Sequence, residues 1–153
     1  MAGHDKLTPE GKRFLKEIAE LKKLQVRVGF QRGFTDYDDN GVDMVDVAMW
    51  NELGTVNSPP RPFLRQSVDD NTFILTVACE ESLKSIVQGQ GTARDALQML
   101  GVLQTALIQD KIRNGDFVPN APSTIRKKKS SKPLIDSGLM RQSVRFIIKK
   151  KGK

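Results

Sequence analysis

Few side chains in this sequence could do chemistry, and their spacing argues against turnover. The one histidine, His4, stands in a charged N-terminal stretch, so neither a Ser/His/acid triad nor a multi-histidine metal site can be built from this chain. The one cysteine, Cys79, has no histidine to activate it and falls mid-helix, where a buried structural thiol is expected. Asp36, Asp38, Asp39 and Asn40 crowd oxygen donors together, but without the twelfth-position glutamate that completes an EF-hand loop. Gly89-Gln90-Gly91 leads into no phosphate-binding fingerprint and reads as a helix break. No catalytic residue, cofactor or metal is expected, so the functional side chains must be ones that bind.

Two groups qualify. The first is basic. Residues 126–153 hold eleven Lys and Arg against the single Asp136, while residues 1–125 hold fourteen Lys and Arg against seventeen Asp and Glu. A net +7 therefore divides into a mildly acidic body and a strongly basic end, which suits nucleic acid or head-to-tail contact between copies. Arg126, Lys127, Lys128, Lys129 and Lys132 form its densest run and are the candidate DNA-facing residues. No aromatics are interleaved to stack bases, so the expected phosphate contact is non-specific and salt-sensitive.

The second group is Trp50, Asn51, Glu52, Arg61 and Phe63, positioned by a helix, a glycine and a proline-rich loop. Val45, Ala48, Met49 and Leu53 recur at helical spacing, Asp43 is placed to cap, and Gly54 can close the helix in the left-handed conformation. Pro59, Pro60 and Pro62 then stiffen an irregular loop. Trp50 has two readings, core filler or interface anchor. Arg61 suits a carboxylate partner at a subunit contact, its alternative being a solvated side chain.

The remaining elements follow from periodicity. Thr8-Pro9-Glu10 opens an amphipathic helix carrying Phe14, Leu15, Ile18 and Leu21 on one stripe. Gln25 to Phe30 alternates as a strand, with Arg27 opposite Val26 and Val28, and residues 31–41 form a loop or hairpin tip. From Arg61 to Val87 apolar residues return at helical turns (Phe63, Leu64, Val68, Phe73, Val77, Leu83, Val87), with a kink expected near Asp69-Asp70-Asn71. Thr92 caps a helix reaching Arg113 with Leu97, Leu100, Leu103, Leu107, Ile108 and Ile112 inward, and Gly101 within it implies a close helix contact. An extended linker (116–122), a short basic helical turn, a second short helix capped by Asp136 or Ser137, and a last strand with Val144, Phe146 and Ile148 on one side complete the chain. The expected architecture is a single α+β domain over residues 1–153: a small, mostly antiparallel sheet with helices packed on one face, a long loop and a basic C-terminal strand. Residues 1–7 and 150–153 are expected to be flexible ends. No apolar run is long enough for a bilayer and the start lacks a signal-peptide core, so synthesis in the cytoplasm and no membrane partner are expected.

Two separated blocks carry a resemblance. Trp50-Asn51-Glu52-Leu53-Gly54-Thr55 with Pro59-Pro60-Arg61-Pro62-Phe63-Leu64-Arg65, and Pro133-Leu134-Ile135-Asp136-Ser137-Gly138-Leu139-Met140-Arg141-Gln142-Ser143-Val144, resemble the tail-completion (neck, or minor tail component) proteins of long-tailed bacteriophages. Leu53 and Ser137 depart from that pattern, where an aromatic and threonine are commoner. The resemblance implies a structural virion protein, not an enzyme. Such a protein assembles as a homo-oligomeric ring, expected to be hexameric, at the head-proximal end of the tail. It would contact the tail tube or tail terminator and the head-tail connector, with genome DNA passing the lumen. It assigns Trp50, Asn51, Glu52, Arg61, Phe63, Asp136, Arg141 and Ser143 to the two motifs or their subunit interface. The rival from another class is a basic protein making non-specific duplex contacts.

Overall fold

The computed structural model describes residues 6–34, 36–128, 134 and 138–152. Among them the order is α1 (Pro9–Lys23), β1 (Leu24–Gly29), α2 (Met44–Leu53), α3 (Phe63–Asp69), α4 (Thr72–Val87), α5 (Ala93–Asn114), α6 (Pro122–Lys128), α7 (Leu139–Gln142) and β2 (Arg145–Lys150). The fold is α+β, with helices packed on a two-stranded antiparallel sheet.

α5 is the central element: it packs on both strands and on α1, α3, α4 and α7. Its start is fixed by a capping box between Thr92 and Asp95, and Glu17 of α1 accepts the Ala93 N–H at 2.8 Å. Three otherwise orphaned backbone donors are thereby satisfied where the helix dipole is positive. Leu97, Ile108 and Ile112 are buried along it, while Leu100, Leu103 and Leu107 are half-buried.

The sheet joins the two ends of the described chain, with Leu24 opposite Lys150 and Gly29 opposite Arg145. Alternation puts Val26, Val28, Phe146 and Ile148 on one face, and Arg27, Ile147 and Lys149 on the other. Phe146 lies against α5 at Gly101, where an added Cβ would stand 2.4 Å from the ring. The close approach expected at this glycine therefore exists, but its partner is a strand aromatic and not a second helix. The expected kink is a complete break between α3 and α4. Asn71 Nδ2 donates to Ser67 O at 2.9 Å and Lys111 Nζ meets Asp70 at 2.6 Å, pinning the chain where the helix stops.

Met44, Ala48, Phe63, Ile108, Ile112, Leu134, Met140 and Val144 form one buried cluster, and Phe30 meets Phe63 edge to face with ring centroids 6.0 Å apart. α4 contributes Ile86 and Ser82 to the interior. Phe73, Val77, Leu83 and Val87 are all exposed on it, as is Cys79, which corrects the expectation of a buried thiol. α7 starts after Gly138, whose left-handed conformation supplies no side-chain cap; Asp136 and Ser137, the expected caps, lie outside the described residues. No helix among the described residues is long and apolar enough to cross a membrane.

Candidate functional site

The first motif folds into a tight brace. Asp43 caps α2 by accepting the Val45 N–H at 2.8 Å, and Gly54 ends it at φ 78°. A Cβ on Gly54 would stand 2.8 Å from Pro60 N, so only glycine lets the proline loop fold back on the helix. Arg61 N–H then donates to Asn51 O at 2.6 Å. Pro62 offers no side-chain cap to α3. That role falls to Glu52, whose carboxylate accepts Leu64 N–H at 2.8 Å and Arg65 N–H at 3.1 Å. Asn51 Nδ2 donates back to Val47 O at 2.9 Å, and Phe63 is fully buried. Asn51, Glu52 and Phe63 are thus occupied within the subunit.

Trp50 and Arg61 are placed differently. Trp50 is nearly half exposed, on the anchor side of its two readings. Arg61 is 7% exposed, which rules out a merely solvated side chain. Its Nε donates to Val118 O at 2.9 Å and its Nη2 to Pro119 O at 3.3 Å, tying the proline loop to the extended linker after α5. No carboxylate among the described residues pairs with it, and burial lowers its pKa from the ordinary arginine value. Both residues line a cleft of ≈ 490 Å³ together with Asn57, Ser58 and Thr124.

The second motif meets the first in the core. Leu134, Met140 and Val144 pack with Ala48 and Phe63, and the Met140 sulfur lies 4.0 Å from Asn51 Nδ2. Ser143 is buried, and its hydroxyl donates to Leu139 O at 2.7 Å, closing α7. Arg141 is half-buried, and its carbonyl accepts from Gln109 Nε2 at 3.1 Å. The two signatures, about eighty residues apart in sequence, are therefore one packed unit. Asp136 lies outside the described residues.

Of the basic candidates, Arg126 is exposed on α6. Lys129 and Lys132 lie outside the described residues, as do the side chains of Lys127 and Lys128 and all of His4. Two carboxylates of the acidic loop are engaged. Asp36 pairs with Arg145, which also stacks 4.1 Å over the Phe34 ring, and Asp38 accepts the Asn40 and Val42 N–H groups at 2.9 and 2.8 Å. Arg32 bridges Asp43 and Asp46, and the Asp46 hydrogen bond raises the Arg32 pKa. Counted from Asp36, Gly41 takes the sixth place of an EF-hand frame, but Val47 stands twelfth. Among the described residues no cluster of three metal-binding side chains forms.

Comparison with known proteins gives no matching family model, no matching curated protein and no matching solved structure. The surface that sequence reasoning missed is on α4, where Phe73 is 80% exposed beside Ile74 and Val77, with Leu83 and Val87 about three and four turns on. The signal was in the register: successive turns run Phe73, Val77, Glu80, Lys84 and Val87, a stripe mixing charge with apolar groups as an interface does and a core face does not.

Proposed function

We propose that this chain is a structural assembly protein of a long-tailed phage. In this reading it forms a homo-oligomeric ring that completes the head-proximal end of the tail and helps join it to the head connector. The observation that carries the assembly part is the apolar face of α4: five large apolar side chains exposed on one helix make the kind of patch that marks a protein contact. Two further features support it. Among the described residues the sheet has two strands, so each has one edge with no strand beside it, open to another chain. Leu53 at the end of α2 and Val56 in the loop after it are also exposed. The tail assignment itself rests on the two motifs, whose joint packing around Ala48, Phe63 and Met140 gives a physical reason for them to occur together.

Such a protein works by fitting neighbours, and a head-to-tail contact closes into a ring when its rotation permits. Native mass spectrometry of the purified protein without nucleic acid, with imaging of tails made with and without it, tests the reading. Ring-sized species and defective necks are expected. Normal, infectious particles lacking the protein would overturn it.

The rival, a non-specific duplex binder, draws on the sheet face turned away from α5, which carries Arg27, Arg145 and Lys149. It is favoured if the protein stays monomeric at high concentration, is absent from virions and holds duplex DNA at physiological salt.

A further inference from the structure

A buried cation without a counter-ion is costly. Taking a charged group out of water carries a penalty that neutral carbonyl acceptors only partly offset. Among the described residues Arg61 is in this position, since none of their carboxylates pairs with it. Of the five N–H donors of a guanidinium, Nε and Nη2 each give one bond to a linker carbonyl, and Nη1 gives none among the described residues. Nη1 is not sealed off either, since the one sealed and unbonded side-chain polar atom among those residues is Gln104 Oε1. Arg61 is also one of the residues that line the cleft, so its unbonded edge is the part left to meet a ligand there.

The composition of that cleft narrows the ligand. Among the described residues that line it there is no Asp or Glu to neutralise Arg61 and no Lys or second Arg to add charge, a composition that matches one negative charge and leaves a dianion half compensated. Lining the cleft with it are Trp50, which brings an indole, Asn57, which brings an amide, and Thr55 and Ser58, which bring hydroxyls. These groups suit a peptide: hydroxyls and amides exchange hydrogen bonds with an extended backbone, and the indole covers an aliphatic stem. The floor is held rigid by the Arg61 ties to residues 118 and 119 and by the Arg61–Asn51 backbone bond, so little ordering is needed on binding.

We propose that the Trp50–Arg61 cleft is a recognition slot for a single Asp or Glu side chain carried on an extended segment of a partner protein. The slot is independent of the tail reading and can be tested on the isolated subunit. Trp50 is the only tryptophan, so its fluorescence reports the cleft directly. The full chain is titrated with a capped pentapeptide of glycine and serine bearing one central aspartate, with the matching asparagine peptide, and with inorganic phosphate. The aspartate peptide is expected to give a saturable change at a concentration at least about tenfold below either of the others, a ratio typical of losing one charge-assisted contact. Arg61→Lys, checked for folding by circular dichroism, is expected to weaken the aspartate response while retaining the cation, because a lysine cannot hold the linker and a carboxylate together. An equal response to the asparagine peptide, phosphate outcompeting the aspartate peptide, or no response to any probe would overturn the slot.

Discussion

The carboxylate of Glu52, at the end of one helix, holds the first turn of the next by accepting the backbone N–H groups of Leu64 and Arg65. It fills a gap the chain creates for itself, because Pro62 stands where a capping hydroxyl or amide would be and cannot serve. The helix-glycine-proline sequence between them is therefore a fold-back. Its purpose is to return the backbone to Glu52 within reach of a bond.

From this follows the first prediction. Glu52→Ala removes both acceptors and should cost about 1–2 kcal/mol in urea unfolding, while Glu52→Gln, which keeps one oxygen, should cost less. Equal stability of Glu52→Ala and the parent would show that water caps α3 as well as the carboxylate does.

Gly101→Ala sets two effects against each other. Helix propensity favours alanine by about 1 kcal/mol, but the new methyl would meet the Phe146 ring. Overpacking costs about 1–3 kcal/mol, so a net loss is expected, and adding Phe146→Leu should recover part of it. A double-mutant cycle by thermal unfolding reads the coupling, and a stabilised single variant would contradict the packing argument.

Phe73→Lys and Val77→Lys separate assembly from folding. Both side chains are exposed on α4, so subunit stability should change by no more than about 0.5 kcal/mol. Oligomers detected by light scattering should nonetheless disappear. Assembly that survives both changes would move the interface elsewhere.

Cys79 supplies a chemical check on the same helix. Because it is exposed, a thiol reagent should label it fully without denaturant. Labelling seen only on unfolding would restore the buried thiol that the sequence suggests.

Much of the architecture could be read before any coordinates, wherever local chemistry decides. Thr8, Asp43 and Thr92 announce three helices because a short polar side chain before an apolar period has one good use, and the alternation of Val26 with Arg27 and of Arg145 with Phe146 marks the strands. The misreadings arise where the answer depends on what lies across from a residue. Phe73, Val77 and Val87 return at helical turns as core residues do, and only Glu80 and Lys84 between them on the same stripe indicate that no element packs over them. Cys79 follows the same logic. Glu52 belongs to its motif, but its role as the cap of the following helix depends on a twelve-residue return that propensity does not encode. Arg61 is the sharpest case: the prolines argue for a displayed guanidinium, and the linker after α5, more than fifty residues away, folds over it.

The pairing of β1 with β2 sets a schedule for the polypeptide as it is made. Residue 24 leaves the ribosome early and must wait for residue 150 before its ladder can close, with Lys151 N–H adding a last bond to Lys23 O. During that interval the helices can gather around α5, while Val26 and Val28 have no strand beside them. A nascent chain stalled before residue 145 would hold an unzipped edge, an opening for chaperones or for misjoining with another unfinished copy.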